Sequence, residues 1–332
     1  MAQSKHNLQV DALSLNNSKA VIYSCEGCAL SDDERSFFSD AAPLGFVLFG
    51  RNCETPEQLR ALTDSLRNSV GWNCPILIDQ EGGRVQRLKP PIWRGYPSMR
   101  TFGARAAVDI DDALTDLRFT ILQLAEELIA AGISVNCAPV LDVLTDVTHD
   151  AIGDRAFSED PEIVSRLALS VCRYLIKAGV TPIIKHIPGH GRAATDSHKD
   201  LPRVSASREE LQATDFKPFK DIADSDVADQ VWAMAAHIVY EDIDPDLPSS
   251  ASPAVIQDVI RGDIGFKGLL VSDDLDMDAL DGLGDVAARS EAVIKAGCDV
   301  ALYCSGKLAD MQKIAKTVPN LSAKAQKSLQ NC

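Results

Sequence analysis

A chain of 332 residues, 45% hydrophobic and 24% charged, has the make-up of a soluble globular protein and the length for one large domain or two ordinary ones. Its formal net charge of −15 leaves no basic stripe to replace the counterions of a nucleic acid, so nucleic-acid binding is not expected. No apolar run reaches the length of a membrane span, the polar start lacks a signal-peptide core, and nine scattered cysteines fit free thiols in a reducing compartment; the expectation is a cytoplasmic protein.

Short apolar runs alternate with longer amphipathic segments along the chain. Eight runs read as strands: 20–24, 45–49, 75–78, 133–138, 181–184, 231–236, 268–271 and 300–303. They are apolar at consecutive positions, the pattern of strands buried on both faces. Helices are expected over 55–67, 111–131, 160–178, 207–222, 252–261, 285–296 and 307–316. Their starts carry chemical signals. Thr55-Pro56-Glu57 and Asp160-Pro161-Glu162 each set a capping side chain before a first-turn proline, and Ser207 with Glu210 forms a capping box.

Eight strands alternating with helices predict an α/β fold, a (β/α)8 TIM barrel in a single domain. The core is expected over about 20–318, with a polar C-terminal tail at 319–332 that frays. An open doubly wound sheet would alternate in the same way, but no G-x-G-x-x-G opens the first βα turn and no Walker loop appears. Three insertions (84–108, 142–159 and 189–204) each follow a predicted strand, which puts them on the face where such barrels build active sites. The pair Cys25-x-x-Cys28 has no second pair to complete a zinc site and reads as a loop after the first strand.

Polar residues stand immediately behind five of the eight strands: Asp79 to Arg84, Asn136 to Asp142, Lys185-His186, His237 and Asp273-Asp274. Any one of these could be a helix cap, yet lysine and histidine at buried strand ends are costly and point to chemistry. Several chemistries fit these residues taken alone. Lys185 could form an imine as in a lyase. His186, His190, His198 and His237 with Asp273 could hold a metal, although no H-x-H spacing sets two of them on one strand face. A sugar-binding module without catalysis would need only some of them.

The motifs LIDQEGGRVQR, IGDRAF, KHIPGHG followed after four residues by DSH, MAAHIVY and VSDDLDM, in this order, resemble glycoside hydrolase family 3. The resemblance runs from about residue 20 to about 305 and is strongest to the family's single-domain bacterial β-N-acetylhexosaminidases of cell-wall recycling. Ile187 stands where the family often has Phe, a change in packing more than in chemistry. The chain is too short for the two-domain β-glucosidases of the same superfamily.

The resemblance implies a retaining enzyme that removes terminal N-acetylglucosamine from muropeptides without cofactor or metal, as a monomer or weak homodimer. It makes Asp273 the nucleophile of a covalent glycosyl-enzyme and His198, paired with Asp196, the acid/base. Histidine titrates near neutrality, and a carboxylate partner can hold its tautomer. Asp79, Arg87, Arg155, Lys185 and His186 are implied to hold the sugar, where charged hydrogen bonds to hydroxyls are strong. His237 and Asp142 are expected as supports, His190 as a residue that shapes its loop, and Asp274 as a cap. Gly189 and Gly191 suggest that the loop moves.

Overall fold

The structure is a computed structural model that describes residues 12–197 and 200–330. All eight predicted strands are present: β1 (Lys19–Tyr23), β2 (Pro43–Leu48), β3 (Ile76–Ile78), β4 (Val135–Asn136), β5 (Thr181–Ile187), β6 (Trp232–Ala235), β7 (Leu270–Asp274) and β8 (Val300–Tyr303). They form one closed barrel in which each strand is parallel to its sequence neighbours and β8 closes on β1. The register across that closure is Ile22 opposite Leu302.

Side chains alternate across the barrel wall with the two-residue period of a strand. Ile22, Leu77, Val135, Ile183, Trp232, Val271 and Val300 belong to one buried cluster inside the barrel. Their neighbours Val21, Tyr23, Ile76, Ile184, Ala233, Leu270 and Ala301 belong to a second cluster between the strands and the helices. This division explains the consecutive apolar positions in the sequence, because each strand feeds two cores.

The outer layer contains α2 (Asp32–Ala41), α3 (Pro56–Val70), α5 (Ile110–Ala130), α6 (Pro161–Ala178), α9 (Val286–Ala296) and α10 (Leu308–Ile314). Thr55 and Asp160 cap α3 and α6 as expected. The helix expected over 207–222 is two, α7 (Arg208–Ala213) and α8 (Lys217–Ala223), with Pro218 in the first turn of the second. The break falls at Asp215, whose carboxylate turns inward to Arg192 at 2.8 Å. The helix expected over 252–261 is a π-helix, Val255–Asp263. Among the helices outside the sequence expectation are α2, opened by a capping box of Ser31 and Glu34, and α4 (Met99–Ala106) within the 84–108 insertion.

The fraying expected of 319–332 is corrected by the structure. Residues 323–329 form α11 (Ala323–Leu329), and Leu321, Ala325 and Leu329 are buried. Their four-residue spacing makes one apolar stripe. With Leu15 of α1 (Ala12–Asn17) they join the inner cluster and stop the base of the barrel.

Candidate active site

The alternation that fills the barrel also builds the site. Two residues beyond inward-facing Leu77, Ile183 and Val271 stand Asp79, Lys185 and Asp273, so the strand period turns their side chains toward the barrel axis. Met234, Leu302 and Cys137, two beyond Trp232, Val300 and Val135, supply the apolar part of the same floor. Over it lies a cavity of about 320 Å³, the lower end of the range for small-molecule sites. Asp79, Arg87, Arg155, Lys185, His186, Asp196 and Asp273 all line it. His198, the acid/base the sequence implied, lies outside the described residues.

One wall is a chain of alternating charges. Arg87 Nη2 donates to Asp79 Oδ2 at 2.9 Å, and Lys185 Nζ donates to Asp79 Oδ1 at 2.7 Å. Lys185 Nζ also reaches Glu81 Oε1 at 2.6 Å, and Arg155 grips both Glu81 oxygens at 2.8 Å. Burial alone would raise Asp79 and Glu81, but the cations beside them win. Lys185 and Arg87 pull Asp79 well below the carboxylate range, and Arg155 and Lys185 hold Glu81 at about 2. Burial would lower Lys185, and the attraction of Asp79 and Glu81 raises it instead. An imine-forming lysine needs the opposite shift, so this geometry counts against the lyase reading.

Glu81 was not singled out from the sequence. Its signal was there: it stands two residues after Asp79, in the hairpin strand Gln80–Gly82 that pairs with Val85–Gln86. Gln80, between them, turns away and holds Arg87 N, at 2.9 Å, and Leu88 N through its side-chain oxygen.

Behind the second wall, fully buried Asp142 organises two histidines. Its Oδ2 meets His186 Nδ1 at 2.8 Å, and its Oδ1 accepts from the backbone of His186 at 3.1 Å and of His190 at 2.7 Å. Burial would raise Asp142, and the charge and hydrogen bonds of His186 hold it at about 2. An ionised acceptor at Nδ1 requires the proton there, which leaves Nε2 of His186 for a ligand. His237 Nε2 donates to the carbonyl of Asp274 at 3.0 Å and its Nδ1 accepts from Ser250 Oγ at 2.7 Å. Neither Asp142 nor His237 lines the cavity; each is bonded to residues around it.

Asp273 is partly buried, and the backbone N–H of Asp274 donates to its Oδ1 at 2.8 Å. Asp274 is no helix cap. Its Oδ1 accepts from Asp276 N at 3.1 Å and Cys304 N at 3.0 Å, tying the end of β7 to the end of β8. Burial raises its carboxyl to about 6 despite those two hydrogen bonds, with Asp273 and Asp276 adding repulsion.

The loop after β5 is packed closely where its glycines lie. A Cβ on Gly191 would lie 1.7 Å from the Val143 carbonyl oxygen, and Gly189 has a φ of 145°. Close approach and backbone conformation account for these glycines without invoking movement. The Cys25–Cys28 segment is a loop, as expected. Asn52 Nδ2 donates to the carbonyls of Cys25 and Gly27, both thiols are free, and burial pushes Cys25 up to about 12. Among the described residues, no cluster of three or more His, Cys, Asp or Glu is placed to hold a metal ion. Nor is any described helix long and apolar enough to cross a membrane.

A closed parallel barrel with buried carboxylates, cations and histidines at its strand ends defines a polar-substrate enzyme site, and comparison with known proteins gives its class. The sequence profile of the glycosyl hydrolase family 3 N-terminal domain matches residues 9–331. The chain belongs to that family and is a glycoside hydrolase. It is 40% identical over 286 residues to a beta-hexosaminidase of Alkalilimnicola ehrlichii, covering 84% of this chain and 79% of that one. It is 38% identical over 288 residues to a beta-hexosaminidase of Stenotrophomonas maltophilia, covering 86% and 83%. Among solved structures, NagZ from Neisseria gonorrhoeae in complex with N-trifluoroacetyl-D-glucosamine superposes with a TM-score of 0.85 at 34% identity, over 95% of this chain and 89% of that one.

Proposed function

We propose that this protein is a retaining, exo-acting β-N-acetylhexosaminidase. It releases terminal N-acetylglucosamine from peptidoglycan fragments in the cytoplasm, the preferred substrate being the sugar linked to anhydro-N-acetylmuramic acid, with or without peptide. The observation that carries this reading is the convergence of Asp273 and Asp196 on one sugar-sized cavity walled by Arg87, Asp79, Lys185 and Arg155.

In this reading the charged wall and His186 take the sugar hydroxyls, with cations donating and Asp79 accepting. An Asp79 held ionised by its neighbours is a strong acceptor. Asp273 attacks the anomeric carbon, forming a carbon–oxygen bond as the glycosidic bond breaks. His198, with Asp196 as its partner, protonates the departing oxygen. His198 then takes a proton from water, which displaces the Asp273 carboxylate and leaves the sugar with its original configuration. Asp196 and Asp273 both line this cavity, which supports the reading.

The test compares p-nitrophenyl N-acetyl-β-glucosaminide with p-nitrophenyl β-glucoside, for the wild type and Asp273→Ala. The expected result is turnover of the first only, with kcat falling about 1,000-fold or more in the variant. Turnover of neither substrate by the wild type would overturn the proposal, and so would a fully active variant.

A further inference from the structure

The loop that leaves β5 is held by several described contacts. Its first part is pinned at many points: Gly191 O accepts from Thr148 Oγ1 at 2.5 Å, Ala193 O accepts from His149 N at 3.0 Å, and Arg192 pairs with Asp215 at 2.8 Å. Tyr240 OH donates to Gly189 O. Past Ala193, His190 Nε2 and Ser197 Oγ share a hydrogen bond 3.2 Å long. Ser197 is 5% exposed, although it sits in a loop whose neighbours 194 and 195 are exposed. It stands directly beside Asp196, which lines the cavity.

His190 is suited to hold it. The ring is buried and packs edge-on against His186 at 5.5 Å, and its backbone N–H is bound to Asp142. Its Nδ1 is buried with no hydrogen-bond partner. A single proton on Nε2 then leaves a bare acceptor at Nδ1 instead of an orphaned N–H, the rarer and costlier case.

We propose that His190 is a positioning residue that, through its hydrogen bond to Ser197, fixes Asp196 at the cavity. Asp142 therefore governs two things at once: the orientation of His186 in the wall and, through His190, the setting of the loop that carries the acid/base pair. The inference rests on the hydrolase reading for its consequence in catalysis, but the latch itself is a property of the loop. The charge state of His190 favours it. Burial pushes the ring down to about 4, His186 beside it adds to the shift, and Asp142 and Asp273 oppose it, so the ring is neutral at physiological pH.

The experiment uses the full chain as wild type, Ser197→Ala, His190→Phe and the double variant, with folding checked by circular dichroism. Two readouts are taken. Hydrogen exchange is followed across residues 194–201, and kcat and KM are measured for an alkyl N-acetyl-β-glucosaminide and its 2,4-dinitrophenyl analogue. The alkyl leaving group needs protonation and the dinitrophenyl group does not.

Ser197→Ala is expected to exchange faster across 194–201 and nowhere else. Its kcat on the alkyl glycoside should fall about tenfold, the worth of one hydrogen bond, with KM unchanged and less than about twofold loss on the dinitrophenyl glycoside. His190→Phe should repeat that pattern, and the double variant should be no worse than either single one. Unchanged exchange in Ser197→Ala overturns the latch, as does an equal loss on both substrates. If His190→Phe does not fold, Ser197→Ala decides by the same two criteria. If the wild type cleaves neither glycoside, the hydrolase reading has failed, and the exchange data alone judge the latch.

Discussion

Lys185 and Glu81 meet at 2.6 Å inside the barrel mouth, with side chains 3% and 1% exposed. A lysine ammonium so nearly dry survives only because Asp79 and Glu81 flank it, and Glu81 survives only because Arg155 closes its other side. The wall is one electrostatic unit, so removing any member leaves charges without compensation.

Glu81→Gln keeps the shape and removes one charge. At pH 7 the variant should be less stable than the wild type by about 3–5 kcal/mol, the cost of stranding a buried ion. The pH dependence has a definite sign. Glu81 titrates at about 2 in the fold, below the ordinary 4.5, so its contribution is complete above pH 4.5 and is lost as pH falls toward 2. Urea unfolding of both proteins should show a gap that is constant above pH 4.5 and shrinks below it.

Asp274 gives the opposite sign. Its folded value of about 6 lies above the ordinary 3.8, so the fold favours the protonated form. That advantage is complete below pH 3.8 and is lost as pH rises through 6. Asp274→Asn keeps an oxygen for the N–H groups of Asp276 and Cys304 and carries no charge. The variant should be more stable than the wild type at pH 8 by on the order of 1–3 kcal/mol, with the difference vanishing below pH 4. Thermal unfolding across that range measures it.

Leu329→Ala removes a fully buried side chain from the base of the barrel. The expected loss is about 2–4 kcal/mol in urea unfolding, the range for a leucine cavity that only partly collapses. Turnover at a temperature where the variant stays folded should be unchanged, because the change lies at the opposite end of the barrel from the site. A loss below about 0.5 kcal/mol, the size of an ordinary surface change, would mean that the terminal helix is not part of the core.

The barrel was legible because each strand feeds two cores and so appears as an unbroken apolar run. The polar residues at the strand ends were legible for the same reason, since nothing else explains a lysine and a histidine after Ile184. Glu81 escaped because it looks like one charge in a polar turn; only the partners of Lys185 and Arg155 make it part of the wall. The terminal helix escaped because Leu321, Ala325 and Leu329 are outnumbered by polar neighbours, and a stripe so thin shows only against the surface it covers. Gly189 and Gly191 read as flexibility, although close approach to Asp215 and Val143 is what requires small residues there. Asp142 shows the general difficulty. Its sequence position suggests a support, but nothing in the sequence says that one carboxylate holds the two histidines 186 and 190.

The first and last described segments of the chain are neighbours. Leu321 N donates to Ser18 O at 2.9 Å, Ala20 N to Pro319 O at 2.9 Å, and Lys19 bridges to Asn320. The described helices α1 and α11 both lie beneath the barrel, on the side away from the cavity. Since α1 and α11 are in contact, changes made at that base lie far from the site. For engineering, the described molecule has one working face, and an immobilising tether belongs at its foot, on α1 or α11.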